Sequence, residues 1–291
     1  MQVWLNGSLL PATAARVSVF DRGFLFGEGV YESVRICEGR TPFLARHVAR
    51  LGRSLSAIGM DAALASALSA AVSELIAVER LADGNVYLQI TRGGSPGVRR
   101  HVPDADSSPT IVAFALPAPA FAAAPVEIAA VTRPDQRWHR CDIKCTSLLG
   151  NVLALADAEA AEAEEAILIR DGLVSEGAYT NVFVAVGGRL HTPALDGDTP
   201  ILGGVNREVL LEALREAGTP CLEGPLPQAN LAAASEILVT SSRRLASAVT
   251  RLDGRPVGDG RIGPFARRAY ELLRRASAVS THDHAPAESN A

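Results

Sequence analysis

The alternation of apolar and polar positions predicts strands and helices in succession along this chain. Val3-Trp4-Leu5, Asn6-Gly7 and Leu9-Leu10 have the pattern of a hairpin closed by an Asn-Gly turn. From Pro42 onward, apolar residues recur every three or four positions, as on a helix with one buried stripe. A second stripe predicts another helix near residues 62–81. The two stripes comprise Leu44, Val48, Leu51, Leu55 and Ile58, then Leu64, Leu68, Val72 and Leu75.

Further strands and turns follow from the same pattern. A strand at 30–36 leads into a turn at Glu38-Gly39, which suggests a second hairpin. Asp171-Gly172 and Gly187-Gly188 are also hairpin signals. The remaining predictions are strands at 86–91, 110–116, 126–132, 166–170 and 182–186 and helices at 148–163 and 206–217.

A Pro- and Ala-rich stretch without periodicity marks the best domain boundary. We therefore predict an N-terminal domain at 1–116, a linker at 117–125 and a larger domain at 126–277. Residues 278–291 are predicted to be a flexible tail, which makes His282 and His284 parts of a tail rather than ligands. The mixture of elements indicates an α+β protein.

Composition and charge narrow the functional class. A formal net charge of −4 gives a general nucleic-acid role no electrostatic support. We find no run of about 18 uninterrupted apolar residues, and the N-terminus resembles a strand and turn rather than a signal peptide, so we expect a cytoplasmic protein. The four cysteines form no CxxC pair and lack neighbours for a zinc site, which predicts reduced thiols and no metal. These cysteines are Cys37, Cys141, Cys145 and Cys221.

The chain contains a single lysine, Lys144, and its other 27 basic residues are arginines. Arginine replaces lysine in nearly every solvating or ion-pairing role, but it is effectively never deprotonated. A neutral amine nucleophile is therefore the one function that requires lysine. By itself, the single lysine is explained equally well by a functional amine and by a codon-biased genome that retains one chance lysine on the surface.

The surroundings of Lys144 favour the functional alternative. The segment 140–154 changes from a strand-like end into a helix, which places Lys144 at the end of an element. About thirty residues later, Glu176 precedes a turn between two strands. A carboxylate beside a glycine turn is usually only a turn residue, and its functional alternative is a partner that keeps a ring nitrogen protonated.

Two later segments suggest a phosphate site. Gly203-Gly204 leads into an amphipathic helix, whose first backbone N–H groups are free to bind an anion. Val239-Thr240-Ser241-Ser242 ends a strand with three hydroxyl groups, either as an ordinary strand end or as further phosphate ligands.

Together these segments resemble the fold-type IV pyridoxal-phosphate family, the class IV aminotransferases. The resemblance extends from about residue 17 to 275 and is closest to the D-amino acid aminotransferases. Besides the segments above, it includes Asp21-Arg-Gly-Phe-Leu-Phe-Gly-Glu-Gly-Val-Tyr-Glu32, His47-Val-Ala-Arg50-Leu-Gly-Arg-Ser54 and Leu252-Asp-Gly254. The family's fold implies a small N-terminal α/β domain and a larger C-terminal domain with a pseudo-barrel sheet.

The resemblance also implies a role for individual residues. Lys144 would carry pyridoxal 5′-phosphate as a Schiff base and move the proton on the α-carbon of the substrate. Glu176 would pair with the pyridine nitrogen. The phosphate would be bound by Arg50, by the N–H groups of Val205 and Asn206, and by Ser241 or Ser242. His47, Arg50 and Ser54 are expected to share one face of their helix.

Substrate recognition is implied by the same comparison. In D-amino acid aminotransferases a tyrosine and an Arg-x-His pair hold the substrate carboxylate, the pair reaching in from the neighbouring subunit, and Tyr31, Arg99 and His101 match them. A homodimer is therefore implied. The loop at 94–103 is one residue longer than the usual pattern, which leaves open whether Arg99 or Arg100 faces the site.

The predicted reaction is transfer of an amino group between a D-amino acid, such as D-alanine or D-glutamate, and a 2-oxo acid. Leu149 agrees with this branch, because branched-chain enzymes tend to have tyrosine there. The chain departs from the family at Ala178, Tyr179, Asn206 and Arg243-Arg244, where an extra arginine could favour a dicarboxylic substrate. The alternatives are a branched-chain or (R)-amine aminotransferase, an aminodeoxychorismate lyase, and a non-enzymatic binding module.

Overall fold

The structure is a computed structural model that describes residues 1–103, 107–197, 199–219 and 221–282. Contacts between residues divide it into two compact units. Unit 1 comprises Met1–Ala120, Ile143–Ser147 and the described residues from Ser280 onward; unit 2 comprises Phe121–Asp142 and Leu148–Val279. The predicted boundaries place residues 143–147, around Lys144, in the larger domain at 126–277. In the structure these five residues group with unit 1.

Unit 1 is built on an antiparallel sheet with strand order β2-β1-β5-β4-β3. The predicted Asn-Gly hairpin is confirmed, and Asn6 and Gly7 both adopt positive φ angles, as its turn requires. The elements are β1 (Gln2–Leu5), β2 (Ser8–Pro11), α1 (Arg22–Phe26), β3 (Gly29–Ile36), α2 (Leu44–Ala57), α3 (Ala67–Glu79), β4 (Gly84–Thr91) and β5 (Thr110–Pro117).

The two predicted helices of unit 1 are confirmed as α2 and α3, and their apolar stripes contribute to one core with the sheet. A 3₁₀ turn, Ala62–Ser66, precedes α3, because the Asp61 side chain caps the backbone at Ala63. By length and composition alone, Ala62–Glu79 could cross a membrane. Leu68, Val72 and Leu75 are buried in the core, so we interpret this stretch as a core helix.

Unit 2 contains a larger mixed sheet, order β11-β10-β9-β12-β13-β6-β7-β8, with β14 paired to β13. Strand β8 is the last strand at one edge of this sheet, and β9 is the third strand from the opposite edge. Nevertheless, only residues 178–180 connect β8 to β9. Such a short connection requires the sheet to curl back on itself, which confirms the predicted pseudo-barrel. The elements are β6 (Val126–Pro134), α4 (Leu149–Ala160), β7 (Glu165–Arg170), β8 (Leu173–Gly177), β9 (Asn181–Val186), β10 (Arg189–Thr192), α5 (Val205–Glu216), β11 (Cys221–Glu223), α6 (Ala229–Ala232), β12 (Glu236–Ser241), β13 (Leu245–Leu252), β14 (Arg255–Pro256) and α7 (Pro264–His282).

Several local predictions differ from the structure because tertiary contacts decide them. The strand at 30–36 forms, but its partner is β4, and the Glu38-Gly39 turn closes only a bridge between Cys37 and Arg40. Helix α7 continues to His282, beyond the predicted start of the tail at 278, and His284 lies outside the described residues. The N-terminus of α7 is capped by the Glu236 carboxylate on β12, a contact that the local sequence does not indicate.

Candidate active site

Lys144 lies in the connection between β6 and α4, not at the end of an element as predicted. The connection runs along the free edge of β3, where Tyr31 N–H donates to the Lys144 carbonyl over 2.9 Å. Thr146 N–H donates to the Gly29 carbonyl over 2.9 Å, and Cys145 forms a bridge with Val30. The edge strand therefore fixes the backbone of the single lysine.

The Lys144 side chain lies against an aromatic surface. Its Nζ is 4.2 Å from the centroid of the Tyr31 ring, and Ser54 Oγ on α2 accepts its backbone N–H over 3.2 Å. Tyr31 stacks on Tyr87 with centroids 5.4 Å apart, and Tyr87 stacks on Phe114 at 5.1 Å. The structure thus brings together two predicted site residues, Lys144 and Tyr31.

Arg50 belongs to a buried charged cluster that begins on the same helix. As predicted, His47, Arg50 and Ser54 share one face of α2, and all three are buried there. The Arg50 guanidinium forms two hydrogen bonds of 2.7 Å to the two oxygens of Glu32, and His47 Nδ1 lies 2.8 Å from Glu32 Oε2. Burial alone would raise the pKa of Glu32, but Arg50 and His47 hold it well below its usual range. For His47, burial lowers the pKa of the imidazole, whereas the nearby Glu32 carboxylate raises it.

The predicted substrate pair, Arg99 and His101, lies together on the loop after β4. The guanidinium carbon of Arg99 is 5.1 Å from the centroid of the Phe26 ring, and the His101 ring is 5.6 Å from it. Both side chains are exposed. Arg99 and His101 therefore share one aromatic partner, Phe26.

In unit 2, Glu176 is buried within a set of donors. Arg137 donates to its Oε1 over 2.6 Å, Asn181 donates to its Oε2 over 3.1 Å, and the backbone N–H of Leu202 lies 3.1 Å from both oxygens. Burial raises the pKa of Glu176, although Arg137 and Leu202 oppose it. Arg137 also binds both oxygens of Asp135, so its orientation is fixed from the side away from Glu176.

The predicted phosphate residues lie close together in the same unit. Helix α5 begins at Val205, and Asn206 Nδ2 donates to the Ser241 carbonyl over 2.7 Å, which joins the helix start to the end of β12. The hydroxyl of Thr240 is buried without a hydrogen-bond partner among the described residues. Thr240 pairs with Asn181 across β12 and β9, so the two side chains share a face of the sheet.

These observations fit a phosphorylated pyridine. A helix N-terminus and an unpaired hydroxyl suit a phosphate. A buried carboxylate suits a ring nitrogen that carries a proton, because the positive ring would stabilise the ionised form that burial disfavours. The individual roles predicted for Arg50, Val205, Asn206, Ser241 and Ser242 stay predictions.

Three residues that support the predicted site residues were missed from the sequence: Glu32, Arg137 and Glu165. Glu32 is part of the quoted family motif, but its pairing with Arg50 depends on the packing of α2 on β3. Arg137 comes from a loop that has no periodic pattern, so nothing in its surroundings marked it. Glu165 begins an apolar strand and would ordinarily be taken as a solvated strand end.

Glu165 supports the turn that follows Glu176. Its carboxyl accepts hydrogen bonds from the N–H groups of Ala166 and Ala178 over 2.8 and 2.9 Å, and Thr180 Oγ1 lies 2.7 Å from it. Burial raises the pKa of Glu165 to about 7, although these hydrogen bonds oppose it. The fold therefore favours the protonated carboxyl relative to the unfolded chain.

Glu165→Gln is expected to remove a pH dependence of stability. An unfolded glutamate ionises near pH 4.3, so the protonated carboxyl stabilises the fold below that pH, and this contribution is lost as the pH rises towards about 7. The loss is on the order of 3 kcal/mol. Urea unfolding at pH 5 and pH 8 measures it, with the exposed neighbour Glu164→Gln as the control. An equal pH dependence in the wild type and Glu165→Gln would contradict this role.

Comparisons with known proteins agree with this geometry. Residues 29–252 match the family described as amino-transferase class IV. The chain is 37% identical over 276 residues to the D-alanine aminotransferase of Bacillus licheniformis, covering 94% of this chain and 96% of that protein. It is 36% identical to the D-alanine aminotransferase of Staphylococcus haemolyticus, covering 93% and 95%.

Solved structures give the same result for the fold. A branched-chain aminotransferase from Thermoproteus uzoniensis with norvaline superposes with a TM-score of 0.85 at 26% identity, covering 97% of this chain and 96% of that one. A hypothetical aminotransferase from Mycobacterium tuberculosis, in its α-ketoglutarate and PMP bound form, gives 0.82 at 26% identity, covering 98% and 100%. The predicted family and fold are confirmed, and this chain belongs to the class IV aminotransferases, whose cofactor is pyridoxal 5′-phosphate.

Proposed function

We propose that the chain transfers an amino group between a D-amino acid, such as D-alanine or D-glutamate, and a 2-oxo acid, with Lys144 bonded to the cofactor. The observation that carries this proposal is the placement of the single lysine on Tyr31, the residue that matches the substrate tyrosine of D-amino acid aminotransferases. The D-alanine aminotransferases that resemble this chain over nearly its whole length support the same substrate class.

We assign the cofactor's groups to residues with matching chemistry. The phosphate is assigned to Arg50, to the backbone N–H groups of Val205 and Asn206, and to Ser241 or Ser242. Glu32 holds the plane of the Arg50 guanidinium. Thr240, whose buried hydroxyl has no partner among the described residues, is a further candidate for the phosphate.

Glu176 is assigned to the pyridine nitrogen. When bound, the cofactor supplies an electron sink for the pair of electrons that the α-carbon releases. Glu176 keeps a proton at the ring nitrogen, because the positive ring stabilises the carboxylate that burial otherwise disfavours. Asn181, Arg137 and Leu202 N–H orient the carboxyl.

Lys144 is assigned two tasks. Its amine would hold the cofactor at the aldehyde carbon, with the aldehyde oxygen leaving as water, and it would accept the proton that the α-carbon of the substrate loses. Tyr31 positions Nζ through its ring face, and the edge of β3 fixes the backbone.

One observation and one measurement bear on the alternative reactions. Leu149, which lacks the hydroxyl that branched-chain enzymes tend to place there, is the first residue of α4. A lyase and an aminotransferase differ in one spectrum, because only the aminotransferase must convert its cofactor to the pyridoxamine form with an amino donor alone. A half-reaction screen with D- and L-amino acids separates them.

Lys144→Ala is expected to abolish the absorbance of the bound aldehyde and to lower turnover by at least about a thousandfold. Lys144→Arg is the matched control for charge, and it should be equally inactive because arginine stays protonated. Absorbance spectra and steady-state rates of D-alanine turnover provide the measurement. Normal activity in either variant would end the assignment.

Arg99→Ala is expected to raise the D-alanine concentration needed for half-saturation by about tenfold to a hundredfold, because a two-pronged contact to the substrate carboxylate is lost. Isopropylamine, in which a methyl group replaces the carboxylate of D-alanine, should be unaffected. Arg100→Ala is the matched control. If Arg100→Ala rather than Arg99→Ala gives the selective loss, the roles of the two arginines are reversed.

A second copy of the chain is the expected partner, and we propose a cytoplasmic homodimer. Helix α4 exposes Leu149, Val152 and Leu153, and Trp138 in the preceding connection is half exposed. Exposed apolar side chains of this size, grouped along one helix, are typical of a protein–protein contact. Light scattering should give twice the mass of the chain for the wild type and a single-chain mass for Leu153→Glu; a monomeric wild type would contradict the proposal.

A further inference from the structure

We propose that Arg22 and Phe26 are the positioning residues of the substrate-carboxylate trap, and that they set the specificity of the enzyme for amino acids over amines. This inference rests on the proposed function, in which Arg99 and His101 bind the carboxylate. Neither Arg22 nor Phe26 is assigned contact with substrate. They act on the loop that carries the trap.

Arg22 holds the backbone of this loop at two adjacent peptide groups. Its Nη1 donates to the carbonyl of Arg100 over 2.5 Å, and its Nη2 donates to the carbonyl of His101 over 2.7 Å. Its Nε pairs with Glu28 Oε2, also at 2.5 Å. All three guanidinium nitrogens are therefore used, and the residue is only 7% exposed.

Phe26 holds the side chains of the same loop. It lies one helical turn after Arg22 on α1, with the Arg22 guanidinium carbon 4.8 Å from its ring centroid. Arg99 and His101 both lie against this ring. Because residues 99 and 101 have the same partner, their side chains are held together while Arg22 fixes the peptide groups that follow Arg100 and His101.

Helix α1 is itself anchored at the point where the loop leaves the sheet. Asp21 caps α1 through Gly23 N–H and accepts a hydrogen bond of 2.9 Å from Thr91 Oγ1 at the end of β4. Arg22 N–H donates to the Gly93 carbonyl over 2.7 Å. A side chain at Gly94 would collide with the Phe20 carbonyl, with Cβ only 2.0 Å from it.

The three hydrogen bonds of Arg22 require the planar guanidinium of arginine. A planar guanidinium reaches two neighbouring carbonyls and a carboxylate at once, whereas an ammonium is a single point charge. Arg22→Lys would keep the charge but lose this geometry. A merely electrostatic role would tolerate the lysine, and a positioning role would not.

The experiment compares D-alanine with isopropylamine on the holoenzyme. Arg22→Met and Arg22→Lys should each raise the half-saturating D-alanine concentration by about tenfold, because two hydrogen bonds that fix the loop are lost, while the limiting rate stays within about threefold. Binding of isopropylamine, followed by the spectral change of the cofactor, should stay within about twofold. Phe26→Leu provides a second variant with the same selective expectation.

Arg35→Met is the matched control. Arg35 is also a buried arginine of unit 1, and it donates to the Pro119 carbonyl over 2.6 Å, away from the trap loop. Its loss should not change the ratio of D-alanine to isopropylamine affinity. Hydrogen exchange of the 95–103 amides should increase in Arg22→Met and not in Arg35→Met.

The double variant Arg22→Met/Arg99→Ala separates this inference from the proposed function. If Arg22 acts through the trap, Arg22→Met should weaken D-alanine binding less in the Arg99→Ala variant than in the wild type, because only His101 is left for Arg22 to position. Additive losses, or an equal loss for isopropylamine, would overturn the inference while leaving the function intact. If Arg99→Ala and His101→Ala themselves have no effect on D-alanine, the assigned trap fails.

Discussion

The position of the Lys144 side chain depends on the backbone hydrogen bonds that join one short segment to one edge strand. In unit 1, β3 is the last strand of its sheet, and its free backbone groups are satisfied by the residues around Lys144 rather than by another strand. Gly27 has a positive φ, and a side chain there would meet Ser147 Oγ at 2.5 Å. The close approach of the two segments therefore requires glycine at this position, and it brings the amine onto Tyr31.

Three buried glutamates show how the same side chain is given different properties. Glu32 is paired with Arg50 and His47, and these neighbours hold its pKa low, so it is a fixed negative charge. Glu176 also has an arginine partner, but burial raises its pKa, so its ionised form would be stabilised by a protonated ring nitrogen beside it. Glu165 has only uncharged donors among its hydrogen bonds and titrates near neutrality. The surroundings of each glutamate, rather than the residue type, therefore decide whether burial or neighbouring charges dominate the pKa of its carboxyl.

Much of the fold and site could be predicted from the sequence. The Asn-Gly hairpin and the stripes of α2 and α3 are local signals that tertiary structure did not override, and Lys144 was identifiable because no other lysine is present. The position of Lys144 in the β6–α4 connection was not predictable, because it depends on a bridge to Val30 more than a hundred residues away. Arg137 and the anchoring role of Arg22 were missed for the same reason. Their partners are distant in sequence and come together only through the sheets.

The most direct test of the central claim uses the presence of a single lysine. The protein is incubated with pyridoxal 5′-phosphate, reduced with borohydride, digested and analysed by mass spectrometry. The account predicts a reduced cofactor adduct on the peptide that contains Lys144 and its prevention by prior treatment with D-alanine. An unmodified Lys144 peptide, with any adduct confined to the α-amino group of Met1, would contradict the account.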